Sequence, residues 1–410
     1  MSEQLAINGG PQAISEALPT FQESAGRTFG KEEEALVLQA LRSGCLSRNG
    51  GTMVKRLEQQ FAAALGVKHA VACSSGTASV HLAVAALDLE PGDEVIVPPI
   101  TDMGSIVPIL WQNAIPVFAD VDPATFCLDP ADAARKISPR TRAVIAVHLA
   151  GQPCDLRALG QLCRERGIVL IEDCSQAYWA EYDGRLVGTL GDLACFSLQQ
   201  SKHMTCGEGG LMVTSNDAWA RRATLFADKA WPRETKALGS NRFLFLAQNY
   251  RMSELQGAVA LAQLGKVQDA VARRRAAAAS LTALLADIPG VAAPSVPPVT
   301  NPAYWLYMLR IPGGSRQFGD ALVAEGIRAW VQYIVDPLYF APLFTECATY
   351  GRSGYPLREF ARQQYRRGLC PNAEQALQEV IAIWWNENYS EKNVCEMVGA
   401  IRKVARHLTR

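Results

Sequence analysis

No run of about 20 uninterrupted apolar residues occurs in this 410-residue chain, so no membrane-spanning helix is expected. Neither sign of charge is in excess. Forty Lys and Arg face 40 Asp and Glu, which argues against a surface built for nucleic acid or another polyanion. The 11 cysteines are scattered, with no Cys-x-x-Cys pair and no Cys/His cluster. That is an inventory of reduced thiols rather than a disulfide framework or a zinc site, and no metal is expected. The N-terminal stretch MSEQLAINGGPQAISE lacks the basic-then-apolar pattern of a secretion signal, so a cytoplasmic protein is expected. Internal repeats and low-complexity tails are also missing.

What remains is an ordinary globular composition, 49% hydrophobic and 20% charged, on a chain long enough for two domains. From about Lys55 to Leu264, short apolar runs alternate with helical stretches. The runs are Ala70–Cys73, Glu94–Val97, Ile115–Phe118, Ala143–Val147 and Ile168–Ile171, and the helical candidates include Ala78–Leu87 and Leu156–Arg166. Such alternation predicts an α/β fold whose mainly parallel sheet is covered by helices on both faces. Glu254–Ala286 reads as one long helical connector, and Pro289–Pro302 as a linker. Tyr304–Ile311 opens a smaller C-terminal α+β domain that closes on an amphipathic helix, Glu391–Leu408. The division expected is residues 1–265 for an N-terminal segment and large domain, and 266–410 for the connector helix and small domain.

In parallel sheets ligands bind beyond the carboxyl ends of the strands, and three motifs stand there. Cys73-Ser-Ser-Gly-Thr77 joins a strand to a helix, where free N–H groups can hold a phosphate; a plain turn capped by Ser75 or Thr77 is the alternative. Asp173, in Ile171-Glu-Asp-Cys-Ser-Gln176, projects from a strand end. It can sit beside a pyridine nitrogen and keep it protonated, or simply cap a helix; Gln176 could then reach the ring's face or its 3-hydroxyl. Lys202 lies between the strand candidate Leu193–Leu198, ending near Ser197, and the turn Gly207-Glu-Gly-Gly210. Lysine amines form Schiff bases with aldehydes, pyridoxal phosphate above all. Phosphate cradle, strand-end Asp, Ser and Lys, in that order, point to pyridoxal phosphate as cofactor. Glu208 reads as a turn carboxylate, and His81 and His148 as structural, with His148 at a strand end the better placed of the two.

These residues resemble the DegT-type sugar aminotransferases, fold-type I enzymes that install amino groups on keto-sugars and keto-cyclitols. The resemblance spans nearly the whole chain. It includes Ser74-Ser-Gly-Thr77, Gly92-Asp-Glu-Val-Ile-Val-Pro98, Val147-His-Leu-Ala-Gly-Gln152, Glu172-Asp173, Lys202, Gly207-Glu-Gly-Gly210, Asn249-Tyr-Arg-Met-Ser-Glu254 and Pro371-Asn-Ala-Glu374. It implies Lys202 as the Schiff-base lysine, Asp173 as partner of the pyridine nitrogen and Gln176 at the ring. Gly76, Thr77 and Ser197 would hold the phosphate. Asn249 would reach the cofactor of a neighbouring subunit, which implies a homodimer with shared active sites. The resemblance also implies glutamate or glutamine as donor, a keto-sugar (nucleotide-linked or glycoside) or keto-cyclitol as acceptor, and a place in amino-sugar or antibiotic biosynthesis. Arg233 and Arg251 are candidates for the donor's carboxylate.

One departure stands out. Where the family carries an aromatic that stacks on the cofactor ring, this chain reads Pro98-Pro-Ile-Thr-Asp-Met103. Asp102 takes the aromatic's place, and either Met103 offers the ring a softer face or Asp102 contacts substrate or cofactor. Trp231-Pro-Arg233 and Trp384-Trp-Asn-Glu-Asn388 are not family-wide either; they belong to core or interface, or line a sugar pocket. Related sugar 3-dehydrases carry histidine in place of the lysine, so Lys202 favours transamination. Sugar dehydration or elimination on the same fold, and a silent cofactor-binding regulator, are the alternatives.

Overall fold

The computed structural model describes residues 4–233 and 243–408; of the N-terminal stretch read above, residues 1–3 lie outside the described residues. Seven strands form the main sheet: β1 (His69–Cys73), β2 (Glu94–Val97), β3 (Ile115–Phe118), β4 (Thr141–Val147), β5 (Val169–Asp173), β6 (Leu193–Ser197) and β7 (Gly210–Thr214). Their order across the sheet is β1-β7-β6-β5-β4-β2-β3. All are parallel except β7, which runs antiparallel to both β1 and β6. β2, β3, β6 and β7 are buried at every position. Strands covered on both faces need apolar side chains on both, which is why these segments read as continuous apolar runs.

Helices flank the sheet and set its edges. Gly76–Ala86 packs on β6 and β7, Met53–Leu65 on β1, and Leu156–Arg166 leads into β5. The connector expected as one helix is two, Glu254–Leu264 and Val267–Leu285. The first starts at a capping box made by Ser253 and Gln256 and is capped at its other end by Gly265. The Ala/Leu pattern runs through this break, so periodicity alone did not register it. The supposed linker is partly structured: Thr300–Asn301 pairs with Glu181–Tyr182.

A second sheet holds β8 (Leu306–Arg310), β9 (Ala329–Val331) and β10 (Val380–Trp384), with β10 central and antiparallel to both neighbours. Its core includes Tyr307, Leu309, Ile381, Ile383, Met397 and Ile401, and Leu5, Ile14 and Leu18 from the start of the chain join it. Tyr339, Phe344, Leu357 and Cys370, by contrast, pack into the core of the main sheet. No helix among the described residues is long and apolar enough to cross a membrane.

Candidate active site

The carboxyl ends of the parallel strands open into a cavity of about 390 Å³. Gly76, Thr77, Asp102, Asp173, Gln176, Ser197 and Lys202 all line it. Segments far apart in sequence therefore converge because each follows a strand end of the same sheet edge.

At one end of the cavity is the start of helix Gly76–Ala86. Ser75 is its cap, its Oγ accepting from the Ala78 N–H at 3.0 Å. The first N–H groups of a helix have no acceptor within it, so this end carries partial positive charge toward the cavity. Gly76 is demanded by packing: a Cβ there would lie 2.5 Å from the Ser197 Cβ. Ser197 and the helix start are thus held in direct contact and form one concave surface.

Asp173 ends β5 and is 4% exposed. Its Oδ2 accepts from the Ser105 hydroxyl at 2.7 Å and its Oδ1 from the Ser175 N–H at 3.0 Å. Ser105 also meets Thr101 Oγ1 at 2.8 Å. Sequence reasoning missed Ser105 and Thr101; the signal available was two hydroxyl residues just beyond the end of β2. Gln176 is oriented from both sides: its Oε1 accepts from the Ala150 N–H at 2.6 Å, and its Nε2 donates to Tyr333 Oη at 3.1 Å.

The Lys202 amine opens into the cavity deep inside the protein. It lies over the Trp305 ring, 3.8 Å from the centroid, and among the described residues it makes no ion pair. Burial pulls its pKa down from 10.5 to about 8, against the opposing pull of the Asp102 and Asp173 carboxylates. At pH 7 roughly one in ten such amines is uncharged, far more than for an ordinary lysine, and the uncharged form can attack a carbonyl carbon. The loop carrying it is fixed from outside, for Arg27 donates to the carbonyls of Lys202 and Gln200.

Opposite this polar set stand Phe21, Trp305 and Trp330, which also line the cavity. No motif flagged them, since they come from the N-terminal segment and from the second sheet. Trp384 packs behind them, 4.8 Å from the Phe21 ring and 5.4 Å from Trp330. Asp102 lines the cavity as well, and its Oδ1 accepts from the Gly104 N–H at 2.7 Å. Met103 is half-buried against the main core and is not part of the lining.

Asn249, Arg233 and Arg251 fall outside this cavity. Both arginines bind Asp228, which forms a backbone bridge with Asn249, and the Arg233 guanidinium lies 4.0 Å over the Trp231 ring. His148 is structural, with its Nδ1 accepting from the Cys154 N–H at 3.1 Å, so its Nε2 donates to Glu172 at 3.1 Å. His148, Glu172 and Cys174 form a buried group with donor atoms close enough for a metal, but Glu172 is already occupied by three backbone N–H groups.

The residues present fit pyridoxal phosphate: an amine with no ion pair among the described residues, a carboxylate and a helix start with the Ser197 hydroxyl for a phosphate, all in one cavity. Fold and site together define a fold-type I, pyridoxal-phosphate-dependent transferase. The model of the DegT/DnrJ/EryC1/StrS aminotransferase family matches residues 27–402, and the chain belongs to that family. It is similar to the L-glutamine:2-deoxy-scyllo-inosose aminotransferase of Streptomyces kanamyceticus, 36% identical over 82% of this chain and 81% of that one. It is similar also to the GDP-perosamine synthase of Caulobacter vibrioides, 34% identical over 81% of this chain and 89% of that one. Among solved structures, DesI in the presence of its TDP-sugar product superposes with a TM-score of 0.84 at 26% identity. That match covers 99% of this chain and 97% of that one. The protein is an aminotransferase, and its cofactor is pyridoxal phosphate.

Proposed function

We propose that the protein moves an amino group from glutamine or glutamate to a keto-cyclitol or keto-sugar. The observation that carries this reading is the Lys202 amine, with no ion pair among the described residues and with its pKa near 8, sharing one cavity with Asp173. Bound pyridoxal phosphate supplies an electron-withdrawing ring and a carbonyl carbon that can hold the amino group in transit. Lys202 Nζ would anchor the cofactor covalently and, once released, would move the proton from the donor's Cα to the cofactor's carbonyl carbon, then from that carbon to the acceptor carbon. Asp173, steadied by Ser105 and Ser175, keeps the pyridine nitrogen protonated. Gly76, Thr77 and Ser197 would hold the phosphate, and Gln176 would lie against the ring. Phe21, Trp305 and Trp330 exclude water from the reacting atoms.

The relatives at 36% and 34% identity are named for a keto-cyclitol and for a GDP-sugar, which supports both acceptor classes. We further propose a cytoplasmic homodimer in which the patch of Asn249, Arg233 and Arg251 faces the partner's cavity. We also propose a division between the two units near residue 265, where the connector breaks.

The test uses the cofactor-loaded protein. Glutamine or glutamate alone is expected to give keto acid equivalent to the bound cofactor, and added 2-deoxy-scyllo-inosose or a nucleotide-linked keto-sugar to give the aminated product. Lys202→Ala is expected to lower turnover roughly 10³-fold or more. Keto acid that fails to form with either donor, while the acceptor is dehydrated, sinks the reading.

A further inference from the structure

Trp305 has so far been given only a share in excluding water, yet it is tied to the lysine more closely than Phe21 or Trp330. Its ring face lies 3.8 Å from Lys202 Nζ. Its indole N–H donates to the carbonyl of Ser201, the residue before the lysine, at 2.9 Å. One side chain therefore grips both the backbone and the amine of the lysine loop.

The backbone around Trp305 is built to hold that grip. Tyr304 sits in the left-handed region, φ 50°, a conformation a bulky residue keeps only when its surroundings enforce it. On one side, His203 donates from Nε2 to the Ala303 carbonyl at 3.0 Å. On the other, Ala303 N–H donates to Gly151 and Trp305 N–H to Ala150, both at 2.9 Å. Ala150 in turn donates to Gln176 Oε1. Gly151, itself at φ 96°, approaches so closely that a Cβ there would lie 2.6 Å from the Tyr304 nitrogen. Residues 303–305 thus span the loop of Lys202 and the turn that orients Gln176.

We propose that Trp305 is a positioning residue for Lys202: its indole N–H fixes the loop, and its ring face holds the amine in line with the cavity. The proposal rests on the reading of Lys202 as the reactive amine. An aromatic face attracts a cation, so the ring favours the protonated amine, acting with the Asp102 and Asp173 carboxylates and against burial. Other charged or titratable groups packed near Lys202 and Trp305 are Arg27, on the Lys202 carbonyl, Arg274, on the Tyr304 and Trp305 carbonyls, Tyr333, against the Trp305 ring, Glu208, in the cavity lining, and His203, kept neutral by burial.

The decisive variant carries 4,5,6,7-tetrafluorotryptophan at position 305. It keeps the shape and the N–H but withdraws π density from the ring. Pyridoxal phosphate is added to the cofactor-stripped full chain across a pH series, and its covalent capture is followed by absorbance, with the melting temperature as a control on folding. Wild-type capture is expected to have its midpoint near pH 8, and the fluorinated chain to have it lower by roughly half a unit or more. An unshifted midpoint overturns the proposal. If the fluorinated chain does not fold, Trp305→Phe and Trp305→Leu decide. Phe, which loses the N–H but keeps a ring face, is expected to slow capture by roughly threefold, and Leu, which loses both, by at least about tenfold; equal losses in both overturn the proposal. Failure of the underlying reading shows separately, as covalent capture that survives Lys202→Ala.

Discussion

Glu172 and Asp173 are adjacent at the end of β5, and because side chains alternate along a strand they leave the sheet on opposite faces. Glu172 is wholly buried and turned into the structure. Its Oε2 accepts from His148 and the Gly188 N–H, its Oε1 from the N–H groups of Leu190 and Gly191. Asp173 accepts from one hydroxyl and one N–H and keeps its remaining face toward the cavity. A carboxylate whose lone pairs are all filled by fixed donors organises a loop. One left partly open at a strand end can meet a ligand. The same residue chemistry serves framework on one face and site on the other, and the number of fixed donors tells them apart.

Three changes test that distinction. Glu172→Ala strands three backbone N–H groups and His148, and is expected to destabilise the fold by about 3 kcal/mol or more, read as a fall in the denaturation midpoint. Asp173→Asn is expected to leave that midpoint within about 1 kcal/mol of wild type while lowering turnover on the order of 100-fold, since an amide cannot hold a proton on the pyridine nitrogen. Equal stability losses in the two variants would erase the contrast. The smallest effect is in pH. Burial raises the Glu172 pKa, but the His148 and backbone hydrogen bonds outweigh it and leave it below the ordinary 4.5. Its contribution is therefore present above pH 4.5 and lost as pH falls through the lower folded value. The stability gap between wild type and Glu172→Gln is expected to narrow below pH 4.5 in acid titrations.

How much of this was legible in the sequence follows from the range of each cause. β2 and β3 stand where apolar runs bounded by turn residues placed them, and helix Leu156–Arg166 matches its expected bounds, because strand burial and helix capping are local. Seven of the nine residues expected at the site meet in one cavity, each just beyond a strand end. Met103 does not, because its side chain turns into the core; Asn249, expected at a neighbouring subunit's cofactor rather than in this cavity, stands beside Asp228. The aromatic side of the cavity was invisible. Nothing local distinguishes Trp305 or Trp330 from any strand aromatic, and only the packing of the second sheet against the first brings them to Lys202. The split of the connector at Gly265 was missed for the opposite reason, since one glycine hardly disturbs a strong helical pattern.

The cavity draws Phe21 from near the beginning of the chain and Trp330 from its last quarter. A growing chain leaving the ribosome therefore has a main sheet long before it has a complete site. Closing so long a loop is slow compared with forming strand-helix units, and domains form in order of synthesis. The complete cavity, with Phe21 and Trp330 both in place, then forms only after the second sheet has docked.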